Sequence, residues 1–243
     1  MTDILVVGGG GREHAVVAKL RESAGVGRIY CAPGNGGIVQ DAECVPIAAT
    51  DVDDMVRFAR EKQVGLTVVT PDDPLAKGMV DALEAAGVRA FGPCRRAAAI
   101  ESSKAFAKGL MRRYGIPTAG YEIFDDPAAA MAYIRRRGRY PVVVKADGLA
   151  LGKGVIVASN EREAAAAVHS LMEERVFGAS GSRVVIEEFL TGPEVSVLSF
   201  TDGRTLRPMV SSKDHKRACD GDRGPNTGGM GAISPNLYYT DTV

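Results

Sequence analysis

The chain has 243 residues, of which 45% are hydrophobic and 25% charged, and its 30 lysines and arginines balance 30 aspartates and glutamates. This composition is ordinary for a globular protein with more than one compact unit, and zero net charge excludes a global field that would attract nucleic acid or an anionic membrane. No apolar run approaches the ~18 residues of a membrane span, and Cys31, Cys44, Cys94 and Cys219 lack paired spacing, so we expect a cytoplasmic protein with reduced thiols.

A glycine-rich turn follows the first predicted strand. Residues 3–7 form a short apolar run, which is typical of a strand buried on both faces of a parallel sheet, and four glycines and a helical pattern come next. Because such helix N-termini bind anions, we predict a phosphate at residues 9–12, with Arg12 as a direct partner. A dinucleotide site is the alternative, but Glu13 or His14 stands where its third glycine belongs, and the acidic ribose ligand is missing.

Strands and helices then alternate as far as residue 92. The predicted strands lie at 28–32, 44–47, 66–70 and 88–91, and the predicted helices lie at 51–62 and 74–86. This alternation predicts a doubly wound parallel sheet. Ligands of such sheets bind beyond the carboxyl ends of the strands, so we expect residues 9–12, 34–37 and 71–73 to share one rim.

The next predicted helix covers residues 103–114. Its larger apolar residues predict the buried face: Phe106, Leu110, Met111 and Tyr114. Lys104 lies in the first turn, where the helix dipole disfavours a cation unless an anion is nearby. It is therefore a candidate anion contact, with a solvated surface lysine as the alternative.

A loop rich in glycine joins two predicted strands within residues 141–159. Glycines let backbone N–H groups approach a polyanion, and Lys145 and Lys153 supply compensating charge. The Walker pattern does not fit, because three residues rather than four separate Gly148 from Gly152 and a strand rather than a helix follows. A phosphate loop in a hairpin indicates a lid that closes over a nucleotide, and a flexible surface hairpin is the alternative.

The remaining predicted strands are 118–124, 183–190, 195–201 and 205–211, and the remaining helices are 126–137 and 161–172. The exposed end of the strand at 183–190 is suited to bind adenine through its backbone, and Glu194 is suited to accept hydrogen bonds from ribose hydroxyls. Residues 214–217 then supply adjacent donors before a glycine-rich loop, which predicts a small-anion site. A purely structural loop is the alternative there.

Seven stretches together resemble the phosphoribosylamine–glycine ligases, a family of the ATP-grasp superfamily. They are GGREHA at 10–15, APGNGG at 32–37, FGP at 91–93, ESSKAFAK at 101–108, KADGLALGKGV at 145–155, VIEEFL at 185–190 and DHKRACDGDRGPNTGGMGA at 214–232. The last stretch is long and specific, and the likeness covers the whole chain.

The resemblance implies an α/β fold, with an N-terminal doubly wound parallel sheet over residues 1–101 followed by an incomplete ATP-grasp α+β fold. Residues 118–188 would form its lid, and 102–117 with 189–243 part of its core. The implied reaction ligates glycine to 5-phosphoribosylamine through a glycyl phosphate, with ATP and Mg²⁺ (or Mn²⁺). Its products would be glycinamide ribonucleotide, ADP and phosphate, in purine biosynthesis.

The resemblance also assigns residues to roles. ATP would contact Lys104, Lys145, Gly148, Gly152, Lys153, Gly154, Glu187, Glu188, Phe189, Leu190 and Glu194. 5-Phosphoribosylamine would contact Gly9, Gly10, Gly11, Arg12, Asp72, Pro74, Asp214, His215, Asn226, Thr227, Gly228 and Gly229. Lys216 and Arg217 would be the catalytic residues. In this chemistry, cations allow a carboxylate to approach a phosphoryl group, and the closed lid keeps water from the acyl phosphate.

The sequence departs from the family pattern in three places. Gly9 stands where the family usually has Asn, and Asp72 where it has Glu. The family continues beyond Val243 with its Mg²⁺ ligands and a further domain, so we expect no metal ligands in this chain. We expect the chain alone to lack full activity, and the candidate protein partners are a C-terminal fragment or further copies of the same chain in a homo-oligomer. The alternatives are a non-catalytic or split nucleotide-binding fragment, a different ATP-grasp ligase and a nicotinamide-dependent oxidoreductase.

Overall fold

The computed structural model describes residues 1–150, 154–221, 223–227 and 229–240, and the chain divides into two units, Met1–Leu110 and Met111–Val243. The strands of unit 1 are β1 (Thr2–Gly8), β2 (Val26–Pro33), β3 (Glu43–Cys44), β4 (Leu66–Val69) and β5 (Ala90–Phe91). Its helices are α1 (Gly11–Arg21), α2 (Val52–Glu61), α3 (Asp72–Lys77), α4 (Met79–Ala85) and α5 (Arg95–Ser102), and α6 (Lys104–Tyr114) contains the division between the units.

Unit 1 is built on a five-stranded parallel sheet with the order β3-β2-β1-β4-β5. Alternate residues of the central strand β1 enter two different cores: Leu5 packs with Met55 and Leu83, whereas Val6 packs with Val17. Because helices cover both faces, β1 is apolar throughout rather than alternating. The predicted doubly wound parallel sheet is confirmed.

The helices of unit 1 differ from the predictions in three respects. The predicted helix at 74–86 is two helices, because Gly78 between α3 and α4 has φ +86°, a left-handed conformation that ends a helix. Helix α5 was missed. The predicted buried face of α6 was wrong at Phe106 and Tyr114, which are exposed, while Ala105, Ala107 and Lys108 are buried. Small residues form the packed face of this helix, so side-chain size was a misleading guide.

Unit 2 contains a four-stranded antiparallel sheet with the order β6-β9-β7-β8. These strands are β6 (Tyr121–Phe124), β7 (Val142–Ala146), β8 (Val155–Ala158) and β9 (Val184–Glu188), and the helices are α7 (Pro127–Arg137) and α8 (Glu161–Val168). Val142, Val144 and Ile186 pack with Ile134 of α7 in one core. Ala146 belongs to the same core. Side chains alternate between the faces of a strand, so Lys145, between Val144 and Ala146, belongs to the opposite face of the sheet.

The last part of unit 2 consists of short two-stranded ladders, β10–β11, β12–β15 and β13–β14. These strands are β10 (Ser199–Thr201), β11 (Leu206–Pro208), β12 (Lys213–Asp214), β13 (Arg217–Cys219), β14 (Arg223–Asn226) and β15 (Ala232–Ile233). The strands predicted at 195–201 and 205–211 are therefore shorter than expected. Large apolar side chains lie exposed along this segment, among them Leu198, Phe200, Leu206 and Val210.

Neither a membrane-spanning helix nor a disulfide bond is found among the described residues. No described helix combines the length and apolar character required to cross a membrane. The four cysteines are free, as expected, and burial raises the pKa of the Cys31 thiol to about 12, which keeps it protonated and unreactive at neutral pH.

A pair of valine substitutions measures the packing of unit 1. Val17 is fully buried, whereas Val39 is 60% exposed. We expect Val17→Ala to lower the free energy of unfolding by about 2–3 kcal/mol, through lost apolar burial and a residual cavity, and Val39→Ala to change it by less than about 0.5 kcal/mol. Urea unfolding, with hydrogen exchange of the β1 amides to report on unit 1, is the measurement. Equal effects of the two substitutions would contradict this packing.

The start of α8 provides a pH-dependent test. The Asn160 side chain accepts from Glu163 N at 3.0 Å, and the Glu163 carboxylate accepts from Ser159 N at 2.8 Å. The Asn160 side-chain amide also donates to the Glu163 carboxylate, at 2.8 Å. The hydrogen bond from Ser159 N is the larger cause, and that from the Asn160 side chain the second, of a pKa of Glu163 below its ordinary 4.5. A carboxylate whose pKa is depressed on folding stabilises above its unfolded-state pKa, and this contribution disappears as pH falls through the folded-state value.

We therefore expect Glu163→Gln to destabilise the protein at pH 7 and to match the parent once the pH lies well below 4.5. Thermal unfolding across this pH range is the measurement. Glu84→Gln changes an exposed carboxylate in α4 and serves as the charge-matched control. A Glu163→Gln difference that stayed constant down to the lowest pH would rule out the linkage.

Candidate functional site

Two oppositely charged side chains on neighbouring strands form the centre of the candidate site in unit 2. Lys145 lies on β7 and Glu187 on β9, two residues out of register, because Lys145 pairs with Val185 and Val143 with Glu187. Lys145 Nζ lies 2.8 Å from Glu187 Oε2, and the two side chains are 26% and 5% exposed. A carboxylate this deeply buried requires a charged or hydrogen-bonding partner, so the pair fixes the position of the ammonium group.

An unanticipated ion pair holds the beginning of the glycine-rich loop. Asp147, directly after β7, is buried and accepts from Arg183 Nε at 2.8 Å. The adjacent Gly148 packs against Ser180, and these residues line an open cleft of about 430 Å³ together with Asp125 and Ser182. At the far side, Gly154 O accepts from Ala146 N at 2.8 Å. Gly152 and Lys153 lie outside the described residues.

The end of β9 is only partly available to a ligand. Glu188 N donates to Gly120 O at 2.9 Å, and Gly120 N donates to the Glu188 carboxylate at 2.7 Å. Both the backbone N–H and the side chain of Glu188 are thus engaged within the protein. Phe189 and Leu190 follow, and their side chains are 41% and 64% exposed. These two residues are therefore the part of the predicted adenine contact that a ligand can reach.

The structure brings together Glu194, Lys216 and Asp214, three residues that the sequence predicted for different roles. Lys216 Nζ pairs with the Glu194 carboxylate and lies 3.6 Å from Asp214 Oδ1. The hydrogen bond to Glu194 raises the pKa of Lys216. Asn236, which the sequence did not single out, is buried and donates to Glu194 O at 2.8 Å. A polar residue between apolar ones near the end of the chain was the only available signal for it.

The predicted anion-binding loop is a paired hairpin rather than an open coil. Arg217 on β13 is opposite Asn226 on β14, and Arg217 Nη1 donates to Gly224 O at 2.7 Å. Thr227 donates to Lys216 O from both its backbone N, at 2.7 Å, and its hydroxyl, at 2.8 Å. His215 and Gly229 are exposed on the same hairpin. Gly228 lies outside the described residues.

In unit 1 the expected rim is present, and its loops contact one another. Gly34 N donates to Gly8 O at 3.0 Å, and the Asn35 side-chain amide donates to Gly9 O at 2.9 Å. The turn after β1 therefore lies against the turn after β2. Arg12, at the start of α1, is exposed.

Glu13 connects the first turn of α1 to the loop after β4. Its carboxylate accepts from Gly10 N at 2.6 Å and from the Thr70 hydroxyl at 2.5 Å, and the residue is buried. Asp72 is exposed and Pro74 buried at the start of the following helix α3. Sequence reasoning missed Glu13, because it was considered only as a failed match to a glycine.

The predicted site residues thus lie in both units. Unit 1 holds the rim residues and Lys104, the first residue of α6, and unit 2 holds the Lys145–Glu187 pair and the 214–229 hairpin. Within the described part of the chain, no group of three or more His, Cys, Asp or Glu residues is arranged to hold a metal ion.

Comparisons with known proteins cover the whole chain. Residues 2–101 match the family model described as "Phosphoribosylglycinamide synthetase, N domain", and residues 102–243 match "Phosphoribosylglycinamide synthetase, ATP-grasp (A) domain". The phosphoribosylamine–glycine ligase of Halalkalibacterium halodurans is 51% identical over 239 residues, which are 98% of this chain and 56% of that protein. This chain therefore spans little more than half the length of that relative.

Solved structures agree with the family match. The crystal structure of phosphoribosylamine–glycine ligase from Thermotoga maritima has a TM-score of 0.81 at 32% identity and covers 96% of this chain and 56% of its own. The biotin carboxylase domain of 2-oxoglutarate carboxylase from Hydrogenobacter thermophilus, solved with MgADP, ADP and bicarbonate, has a TM-score of 0.79 at 17% identity, with 99% and 55% covered. The latter likeness shows the fold alone. The chain belongs to the phosphoribosylglycinamide synthetase family, with an N domain followed by an ATP-grasp domain.

Proposed function

We propose that this chain supplies the ATP-binding and sugar-amine-binding parts of a phosphoribosylamine–glycine ligase. The observation that carries the proposal is the Lys145–Glu187 pair, within a chain whose two halves both match the family. The reaction is the ATP-dependent ligation of glycine to 5-phosphoribosylamine in purine biosynthesis, in the cytoplasm. A relative with 51% identity over 98% of this chain is named for that reaction.

The geometry of unit 2 fits a nucleoside triphosphate. Lys145 presents a held ammonium group on the sheet face that α7 and α8 do not cover. The strand end at Phe189 and Leu190 is exposed, as a purine contact requires. We propose that Lys145 neutralises phosphate charge and that residues 118–188 act as the lid. The biotin carboxylase domain of similar fold was solved with MgADP.

The proposed chemistry has two balanced steps. A carboxylate oxygen of glycine attacks the γ-phosphorus of ATP, and the bond to the β-phosphate oxygen breaks, which yields glycyl phosphate and ADP. The amine of 5-phosphoribosylamine then attacks the glycyl carbonyl carbon and loses a proton, and phosphate leaves. The protein contributes cations that reduce charge repulsion and a closed site that excludes water.

The proposed catalytic residues, Lys216 and Arg217, are engaged within the protein. Lys216 is paired with Glu194, and Arg217 with Gly224. Glu194 is the proposed ribose contact. Ribose hydroxyls that bind its carboxylate would therefore replace Lys216 as its hydrogen-bond partner. A lysine with a raised pKa remains an ammonium group at neutral pH and would act as a charge rather than as a base.

The described residues contain no group of three His, Cys, Asp or Glu side chains that would hold Mg²⁺ without a substrate. Mg²⁺ is typically held by one or two carboxylates together with substrate phosphates. We propose that the remaining ligands belong to polypeptide corresponding to the other part of the relatives. The exposed apolar side chains of β10 and β11, Phe200 and Leu206 among them, agree with contact by such a partner.

The ATP contact is tested with a substitution pair that avoids a buried, unpaired charge. Lys145→Met together with Glu187→Gln removes both charges and keeps both side-chain volumes. We expect this double variant to remain folded and to bind ATP at least about tenfold more weakly, because one charge-assisted phosphate contact is lost. Isothermal titration with MgATP is the measurement.

Lys19→Met with Glu22→Gln is the matched control. It removes an exposed lysine–glutamate pair on α1 and should leave ATP affinity unchanged. Unaltered ATP binding by the Lys145→Met, Glu187→Gln variant would place the nucleotide elsewhere.

The ligase activity is tested by complementation. We expect no glycine-dependent ADP release from the 243-residue chain alone, and recovery when a fragment corresponding to the remaining part of a close relative is added. A coupled ADP assay with both substrates, and with each omitted, is the measurement. Full turnover by the chain alone would contradict the need for a partner.

The second candidate is a nucleotide-binding fragment without catalysis, which agrees with the 56% of the relative's length that this chain covers. This alternative predicts that ATP raises the Tm of the chain while the complemented protein still releases no ADP. The same complementation assay therefore separates the two.

A further inference from the structure

The Glu13 carboxylate is a buried ionisable group to which the proposed reaction assigns no role. It is 6% exposed and accepts hydrogen bonds from Gly10 N at 2.6 Å and from the Thr70 hydroxyl at 2.5 Å. Burial of a carboxylate costs free energy, which such hydrogen bonds offset. The side chain lies inside the turn to which the sequence assigned the substrate phosphate.

The carboxylate occupies the place that an external anion would take. The first N–H groups of a helix lack intrahelical partners and attract anions, assisted by the helix dipole. In α1, however, Gly10 N already donates to Glu13 Oε2. A fixed negative charge therefore lies beside the remaining donors of the turn, at Gly11 and Arg12.

The surrounding backbone is shaped to hold the carboxylate there. Gly8 has φ +125°, and a Cβ on it would lie 2.6 Å from Glu13 Cγ and 2.9 Å from Pro71 Cγ. Glycine at this position leaves the space that the Glu13 side chain fills. Because Thr70 directly precedes Pro71, the same carboxylate also ties the turn to the loop before α3.

We propose that Glu13 is an internal anion that closes the glycine turn to phosphate and so determines which part of the sugar substrate this rim accepts. Residues 9–12 then contact the uncharged part of the sugar, and its phosphate is bound by groups outside the turn. A carboxylate and a phosphate about 5 Å apart repel enough to weaken binding about fourfold even at the dielectric constant of bulk water, and more in a partly buried site. The inference rests on the proposed function, whose substrate is a phosphorylated sugar.

The experiment is a titration of the 243-residue chain with inorganic phosphate and with ribose 5-phosphate, followed by NMR at the amides of Gly10, Gly11 and Arg12. For wild type we expect no saturable phosphate response at these amides. Glu13→Gln keeps the shape of the side chain but removes its charge, and should give a saturable phosphate response, with an affinity at least about fourfold above the upper limit that the wild-type titration sets. Glu13→Ala also frees Gly10 N and should bind about tenfold more tightly or better.

The direction of the change separates this role from a purely structural one. A residue that only held the loops in place would, when removed, weaken anion binding or leave it unchanged. Glu22→Gln makes the same charge change near the other end of α1 and should have no effect. Saturable phosphate binding by wild type at these amides, or no gain in Glu13→Gln and Glu13→Ala, overturns the inference.

Circular dichroism confirms that each variant is folded, and Glu13→Gln provides the decisive comparison if Glu13→Ala unfolds. The titration does not depend on ATP or glycine. Absence of ADP release from the complemented wild-type protein would refute the ligase proposal. The phosphate titration would still show whether Glu13 excludes an anion from the glycine turn.

Discussion

The fold of unit 2 and its candidate chemistry both depend on a buried carboxylate that is satisfied by a lysine on the next strand. Glu187 lies within the sheet, and Lys145, two residues out of register with it on the neighbouring strand, reaches it with its ammonium group. Removal of Lys145 alone would leave the buried Glu187 carboxylate without its cation, which is strongly destabilising. The pair thereby fixes an ammonium group on the sheet face opposite α7 and α8, where a polyanion can use it.

Unit 1 also contains a buried carboxylate, but its hydrogen-bond partners are different. Glu13 is also buried, but a backbone N–H and the Thr70 hydroxyl satisfy it instead of a cation. Its negative charge is therefore not neutralised locally, and it opposes the binding of a second anion at the glycine turn. In each unit a buried carboxylate organises the loops or strands that carry the predicted ligand contacts. The two carboxylates have opposite consequences for phosphate because, within the described part of the chain, Glu187 pairs with a lysine whereas Glu13 accepts from a backbone N–H and a hydroxyl.

Much of the architecture follows from patterns that are local in sequence. The continuous apolar run of β1 and the alternation of strands and helices identified the parallel sheet, because both faces of its strands are buried. Boundaries were less predictable, since Gly78 splits a periodic segment through a conformation that periodicity does not reveal. The packed face of α6 was misjudged because Ala105 and Ala107 are buried on it, whereas the larger Phe106 and Tyr114 are exposed.

Motifs and their spacing were enough to identify the family and the order of its two domains, because both are local in the chain. Which distant side chains meet became clear only from the folded chain. The contact of Glu187 with Lys145, the pairing of Glu194 with Lys216, and the link from Glu13 to Thr70 join positions 42, 22 and 57 residues apart. Such contacts depend on strand register and loop packing, which arise when distant segments are brought together and which no local pattern encodes.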